Sequence, residues 1–273
     1  MIKALFFDLD GTLLASDKTL LPSTIAALRR CREKGVHIFI ATARSPRLAQ
    51  KLGWTDGITA LFSGGLHSNG ACLVMDGHTT YTYIDPEAVR LCVQEVARHP
   101  DVQMSLHMEG DWHAFNYVMP DRMLGPWGIK REDIIPLDDQ AAQHAVKILI
   151  YYDYLLENLT KALPDDLYPA LLRLCGDRAN LYLTDEGRTI QVASKDTGKH
   201  AAIERVRRQL GLTREEIAVF GDDLNDIEML SHCPNSVAMG NAHPQVKAIA
   251  AHVTLANDED GIAYALQNLL HVL

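Results

Sequence analysis

Hydrophobic residues form short dense runs at both ends of this chain and looser, alternating runs in the middle. Ala4-Leu5-Phe6-Phe7 is unbroken and stops at an acidic turn, the pattern of a strand buried on both faces, which predicts a strand over 3–8. From Pro22, Ile25, Leu28 and Cys31 recur at helical spacing until Gly35, predicting a helix over 22–34. Residues 36–41 read as the next apolar strand. Ser45 and Pro46 suit the N-cap and first position of a helix that ends near Gly53. Strand, helix, strand, helix in this order implies a parallel sheet covered on both faces.

The middle of the chain differs. A strand is expected over 79–84 and a helix over 86–98, with Val89, Cys92, Val93 and Val96 on one face. Residues 102–108 and 112–118 form a predicted hairpin around Glu109-Gly110-Asp111. A strand over 145–152, helices over 154–163 and 166–174, and a second hairpin of 180–184 with 188–192 complete an antiparallel α+β pattern. The α/β style then returns: helix 199–210, strand 217–220, helix 225–231, strand 236–239, helix 244–251, strand 252–255 and helix 261–270. The outer parts, 1–78 and 190–273, therefore read as one α/β unit, and 79–189 as a second unit inserted into it.

The composition is that of an ordinary globular protein: 47% hydrophobic and 22% charged over 273 residues. A formal charge of −9 argues against a nucleic-acid partner, which calls for a basic patch. The five cysteines are scattered, odd in number and without a C-x-x-C pair, so buried thiols in a reducing compartment are expected rather than disulfides or a zinc site. The chain enters its first strand without a signal-type segment, and no apolar run approaches the ~20 residues of a membrane span. A cytoplasmic protein without a membrane partner is expected.

Asp8 and Asp10 end the first strand, and alternation projects both to one side. Acids so close bind a cation, share a proton, or divide the roles of nucleophile and acid; a solvated strand end followed by a turn is the plainer reading of the pair alone. In a parallel sheet, ligands sit beyond the carboxyl ends of the strands. Three further polar groups fall at such places: Ala41-Thr42-Ala43-Arg44, Lys199 at the head of its helix, and Gly221-Asp222-Asp223-Leu224-Asn225-Asp226. Each alone suits a cap, a turn or a solvated surface. Together they stand in an order that lets them converge.

With these motifs the chain resembles the haloacid dehalogenase-like superfamily of phosphohydrolases, in its Cof-type branch with an inserted cap of type IIB. The resemblance is carried by FFDLDGTLL at 6–14, ATARS at 41–45, SNGA at 68–71, TGKHAAI around Lys199, FGDDLNDIEML at 220–230, VAMGNA at 237–242, Val246-Lys247, and Asn257 to Gly261. It spans the outer unit and skips the insertion. It implies a Rossmann-like parallel-sheet core with an α+β cap that selects the leaving group. It also implies a Mg²⁺-dependent phosphatase of a small phosphorylated metabolite, such as a sugar phosphate, pyridoxal phosphate or flavin mononucleotide, working through an aspartyl-phosphate. By resemblance Asp8 is the nucleophile. Asp10 is the acid and base, its pKa raised by the ionised Asp8 nearby. Asp8, the backbone carbonyl of Asp10, and Asp222 are metal ligands. Thr42 and Lys199 hold the phosphoryl group, Asn225 touches phosphate or a metal-bound water, and Asp226 holds Lys199 or such a water in place. Asp223 faces solvent.

A phosphomutase or phosphotransferase would use the same intermediate. A non-catalytic phosphate-binding protein would be expected to lack Asp8, Asp10 or Asp222, and all three are present. Substrate identity and oligomeric state are not legible. Two segments depart from the family pattern. Ala43 stands where glycine is usual, and 63–68 (SGGLHS) is an unusual approach to Asn69, with His67 read as a polar loop histidine rather than a substrate contact. Lys195 is a weaker rival to Lys199. His107, Glu109, Asp111 and His113 are evenly spaced, but the turn sets the histidines on opposite arms. Trp112, His113, Phe115 and Tyr117 are therefore expected to pack the sheet or line a pocket rather than bind metal.

Overall fold

All four residues of β1 (Ala4–Phe7) are completely buried, as an unbroken apolar run requires. Parallel strands β2 (His37–Ala41) and β11 (Ile217–Gly221) flank it, Phe6 stacking on Phe39 and Phe7 packing on Phe220. In this computed structural model, which describes residues 1–47, 52–152 and 161–273, the chain divides into two units: Met1–Thr80 with Gly198–Leu273, and Tyr81–Thr197.

The first unit is built on an eight-stranded sheet. Its order is β13 (His252–Val253), β12 (Ser236–Ala238), β11, β1, β2, β3 (Gly64–His67), β4 (Cys72–Met75) and β5 (His78–Tyr81). The pairs from β13 to β3 are parallel and β3 with β4 is antiparallel. This is the α/β core expected. The helix Pro22–Glu33 begins with proline at its first position, buries Thr24, Ala27, Leu28 and Cys31, and stops before Gly35. Strand β3 escapes the sequence pattern because Gly64 and Gly65 interrupt it. Gly64 is required there: a Cβ would lie 2.2 Å from the Val74 carbonyl oxygen.

The second unit holds an antiparallel five-stranded sheet. Its order is β7 (His113–Phe115), β6 (Val102–Met108), β8 (Ala145–Tyr152), β10 (Thr189–Ser194) and β9 (Ala179–Thr184). Helices Pro86–Val96 and Leu167–Cys175 share an apolar cluster with Met104, Leu106, Ile148, Ile150 and Val192 on one face of it. Because β10 pairs inside this sheet, the second unit runs to Thr197, past the boundary expected at 189. Residues 48–51 of the helix expected from Ser45 and most of that over 154–163 lie outside the described residues. Among the described residues no helix is long and apolar enough to cross a membrane. The five cysteines are buried thiols, as expected.

Helix Lys199–Gln209 carries a testable support. Glu204 is 7% exposed; its carboxylate accepts from Arg207 Nε and Nη2 at 3.0 and 2.9 Å and from Arg214 Nε at 3.2 Å. Those bonds, Arg207's first, hold its pKa down to about 2 against burial. A depressed acid contributes stability above its ordinary pKa, near 4.5, and loses it as pH falls toward 2. Glu204→Gln is expected to cost about 1–3 kcal/mol at pH 7, from lost charged hydrogen bonds. In urea unfolding the gap to wild type should close between pH 4.5 and pH 2. A gap independent of pH would reject the ion pairs as its source.

Candidate active site

Strand order locates the crevice. The chain fills one side of β1 with β2 and β3, then returns after the insertion to lay β11, β12 and β13 on the other. Strand direction of growth reverses between β1 and β11, and ligands of such sheets bind beyond the carboxyl ends at that point. Asp8 follows β1 and Asp222 follows β11. The two loops are clasped: Asp8 N–H donates to the Phe220 carbonyl at 3.0 Å, and Thr12 Oγ1 donates to Asp222 Oδ1 at 2.6 Å. Gly11, at φ +79°, makes this possible, since a Cβ there would sit 2.3 Å from Asp222 Oδ2.

Lys199 is the centre of the arrangement. It is 3% exposed, and its Nζ donates to Asp8 Oδ1 and to Asp226 Oδ1, both at 2.6 Å. Asp226 is fully buried, and its other oxygen accepts the N–H groups of Asp222 at 3.0 Å and Asp223 at 3.2 Å. Asp226 thus holds both the lysine and the acidic loop. Gly221 leaves room for it: a Cβ would meet Asp226 Cβ at 2.6 Å. Lys195, the rival, is exposed.

One ammonium does not balance three carboxylates. Burial pushes Asp8 up to about 7, with Lys199 opposing and Asp226 and Asp222 adding to the rise. Burial also lifts Asp222 to about 6 against the Thr12 hydrogen bond. Burial disfavours the charge of Lys199, but Asp8 and Asp226 outweigh it and raise its pKa. Oxygens of Asp8, Asp222 and Asp226 lie within 4.8 Å of one another. Hard oxygen donors with surplus negative charge fit a divalent cation such as Mg²⁺.

Asp10 departs from expectation. Its carboxylate turns to a different set of partners: Arg44 Nε and Nη2 at 2.7 and 2.6 Å and Lys18 Nζ at 2.8 Å. Burial raises its pKa, but the hydrogen bonds from Arg44 and Lys18 prevail and hold it below the ordinary value. The expected upward shift is therefore reversed, because the hydrogen bonds and charges of two cations outweigh burial. In this arrangement Asp10 is an ionised base whose cations must yield before it carries a proton.

Thr42 is buried at the end of β2, and its Oγ1 accepts the Arg44 N–H at 3.1 Å. The Ser68–Gly70 turn docks on this loop, with Asn69 N–H on the Thr42 carbonyl and Ser68 N–H on that of Arg44. Ser68, Asn69 and Gly70 all have positive φ. At Gly70 a Cβ would lie 2.6 Å from the Gly198 carbonyl oxygen, so the turn also abuts the start of the Lys199 helix. The SNGA segment thereby links the Thr42 loop to Lys199. Asn225 and Asp223 are exposed; Asp223 caps its own turn, and no hydrogen bond brings Asn225 to Asp8, Thr42 or Lys199. His67 is not a loop residue: it ends β3, 7% exposed, and burial lowers its pKa to about 4. Sequence reasoning missed Thr12, Lys18 and the pairing of Arg44. Thr12 and Arg44 lie inside quoted motifs, but nothing local to Lys18 marks it.

In the second unit His107 and His113 stand directly opposite each other across β6 and β7, ring centroids 4.7 Å apart, so they share a face after all. Among the described residues the only group of three or more ligand-type side chains arranged for a metal is Asp8, Asp222 and Asp226.

A family model described as haloacid dehalogenase-like hydrolase matches residues 5–266. The HMP-PP phosphatase of Klebsiella pneumoniae (strain 342) is 30% identical over 94% of this chain and 91% of its own length. The 5-amino-6-(5-phospho-D-ribitylamino)uracil phosphatase YcsE of Bacillus subtilis is 26% identical over 98% and 95%. Among solved structures, a HAD subclass IIB sugar phosphatase superposes with a TM-score of 0.74 at 26% identity, over 99% of this chain and 100% of that one.

Proposed function

This chain belongs to the haloacid dehalogenase-like hydrolases, in the Cof-type branch, and is a phosphatase; from that premise we propose that it hydrolyses a small phosphorylated metabolite through an aspartyl-phosphate on Asp8, with Mg²⁺ as cofactor. The observation that carries the proposal is the buried Lys199 shared between Asp8 and Asp226 beside Asp222. A buried lysine on the attacking carboxylate is placed to meet the equatorial oxygens of a phosphoryl group as charge builds on them.

Asp8 attacks phosphorus, and the ester oxygen leaves with a proton from Asp10; Asp10 then takes a proton from the water that cleaves the acyl phosphate. Because Arg44 and Lys18 hold Asp10 ionised, the first step requires that pairing to loosen and the second is served by it. Thr42 offers its hydroxyl hydrogen to a phosphoryl oxygen while its oxygen keeps the Arg44 N–H. Asp226 fixes Lys199 and the acidic loop. Asp8, Asp222 and the backbone carbonyl of Asp10 would hold Mg²⁺, which supplies charge neutralisation and keeps Asp8 ionised despite its burial.

The test is phosphate release over a broad panel of phosphorylated metabolites. Activity is expected to fall to background with EDTA and to return with Mg²⁺. Full activity without any divalent cation would overturn the metal assignment, and phosphoryl transfer only to an added organic acceptor would assign a transferase instead.

A further inference from the structure

The turn that follows β1 is weakly held by its own backbone. Thr12 N–H reaches the Leu9 carbonyl only at 3.4 Å, and Gly11 stands at φ +79°. Yet this turn carries Asp10 and Thr12, and the Asp222 carboxylate lies close against Gly11. Bonds from far along the chain hold it instead. Asn241 Nδ2 donates to the Gly11 carbonyl at 2.8 Å. Asn241 Oδ1 in turn accepts the Asn257 N–H at 3.0 Å, and Asn257 Nδ2 donates to the Leu14 carbonyl at 2.8 Å. Two asparagines therefore grip both ends of the turn. An amide suits the place of Asn241 because one side chain donates and accepts at once.

The same segment holds the acidic loop. Met239 N–H donates to the Gly221 carbonyl at 3.1 Å, and His243 N–H to the Asp222 carbonyl at 2.9 Å. Between them Ala242 is buried in the apolar cluster of the first unit, its N–H bonded to the Met239 carbonyl at 3.0 Å. One short stretch, 239–243, thus spans the loop of Asp222 and the turn of Asp10. A further tie lies beyond Leu14, outside the turn: Ser16 N–H and Oγ donate to the Asp258 carboxylate at 2.8 and 2.5 Å.

We propose that Asn241, with Asn257 behind it, is a positioning residue of the active site. It sets the peptide at Gly11, and with it the Asp10 carbonyl and Thr12, at a fixed distance from Asp222. It acts through the turn rather than on the reacting atoms. The inference rests on the reading above, in which Asp8, the Asp10 carbonyl and Asp222 share Mg²⁺. Metal ligands are oriented by the groups bonded behind them, and removing such a group costs about 10–100-fold in metal affinity or activity. Asn241 is exposed, so its truncation opens no cavity in the core.

Two measurements test this. In the metal-free full-length protein, Mg²⁺ alone is titrated by calorimetry. Asn241→Ala is expected to weaken Mg²⁺ binding about tenfold or more. Asn257→Ala keeps its N–H on Asn241 and loses only the Leu14 bond, so about threefold is expected. With Mg²⁺ saturating and an ester that the wild type hydrolyses, Asn241→Ala should lower kcat about tenfold and change KM by less than about twofold. Asp258→Ala is the control, since it removes two bonds outside the turn. It should lower the melting temperature about as much as Asn241→Ala does, while Mg²⁺ affinity and kcat stay within about twofold of wild type. Wild-type Mg²⁺ affinity and kcat in Asn241→Ala would overturn the proposal. Equal losses in Asp258→Ala would overturn it as well and make the segment a general support. If the wild type hydrolyses esters but binds no Mg²⁺, the cofactor proposed above fails and kcat alone decides the positioning. If Mg²⁺ binds but no metabolite of the panel is turned over, the substrate class proposed above fails and the ratio of Mg²⁺ affinities decides.

Discussion

Asp8→Asn is expected to lower phosphate release on every substrate by on the order of 10⁵-fold, the scale seen when a covalent nucleophile is removed. An amide of nearly the same shape keeps the packing but cannot form the acyl phosphate. The structure adds a second expectation with the opposite sign. Asp8 is buried, and its pKa is pushed up to about 7. A raised acid costs stability as pH climbs from its ordinary value near 3.8 through 7, because the folded state resists ionisation. The metal-free Asp8→Asn protein should therefore melt at the same temperature as wild type or higher when measured at pH 8. Calorimetry with parallel phosphate-release assays checks both. Retained turnover would sink the nucleophile assignment, and a large drop in melting temperature would recast Asp8 as a structural anchor.

Lys199→Met is expected to damage both activity and stability. Removing the donor proposed to meet the phosphoryl group should cost about 10²–10³ in kcat. It also leaves Asp8 and Asp226 buried without their cation. Breaking a buried pair from one side costs about 3–5 kcal/mol, so the metal-free variant should unfold at markedly lower urea. Mg²⁺ should recover part of that loss by restoring positive charge among the acids. Adding Asp226→Asn should also recover stability but not activity. A double variant no more stable than Lys199→Met alone would show that Asp226 is held by its bonds to the Asp222 and Asp223 N–H groups rather than by charge.

Much of the site was legible because its members follow strands whose apolar runs are unmistakable. Asp8, Thr42 and Asp222 all stand at the carboxyl ends of β1, β2 and β11, and buried parallel strands advertise themselves by continuous hydrophobicity. Lys199 was distinguished from Lys195 only by the family motif; its burial between two acids is a tertiary fact. The pKa of Asp10 could not be read, since its sign is set by Lys18 and Arg44, brought to it by the folding of two loops. Strand β3 was hidden by its glycines, of which Gly64 serves a close backbone approach rather than a turn. His107 and His113 looked like opposite arms of a turn, and only the register shows that they meet.

The lysine that joins Asp8 stands 191 residues from it in sequence, and the threonine that clasps Asp222 stands 210 residues away. Contacts of such span form late, because the ends of a long loop must first be brought together. The intervening residues 81–197 have their own sheet and apolar cluster, so their collapse shortens the stretch still to be closed. Strand β11 can then dock beside β1, and only that docking gathers the acids around their single lysine. On the ribosome the candidate site therefore forms only once β11 has been made, and a nascent chain that stops short of β11 holds Asp8 without Asp222 and Asp226 around it.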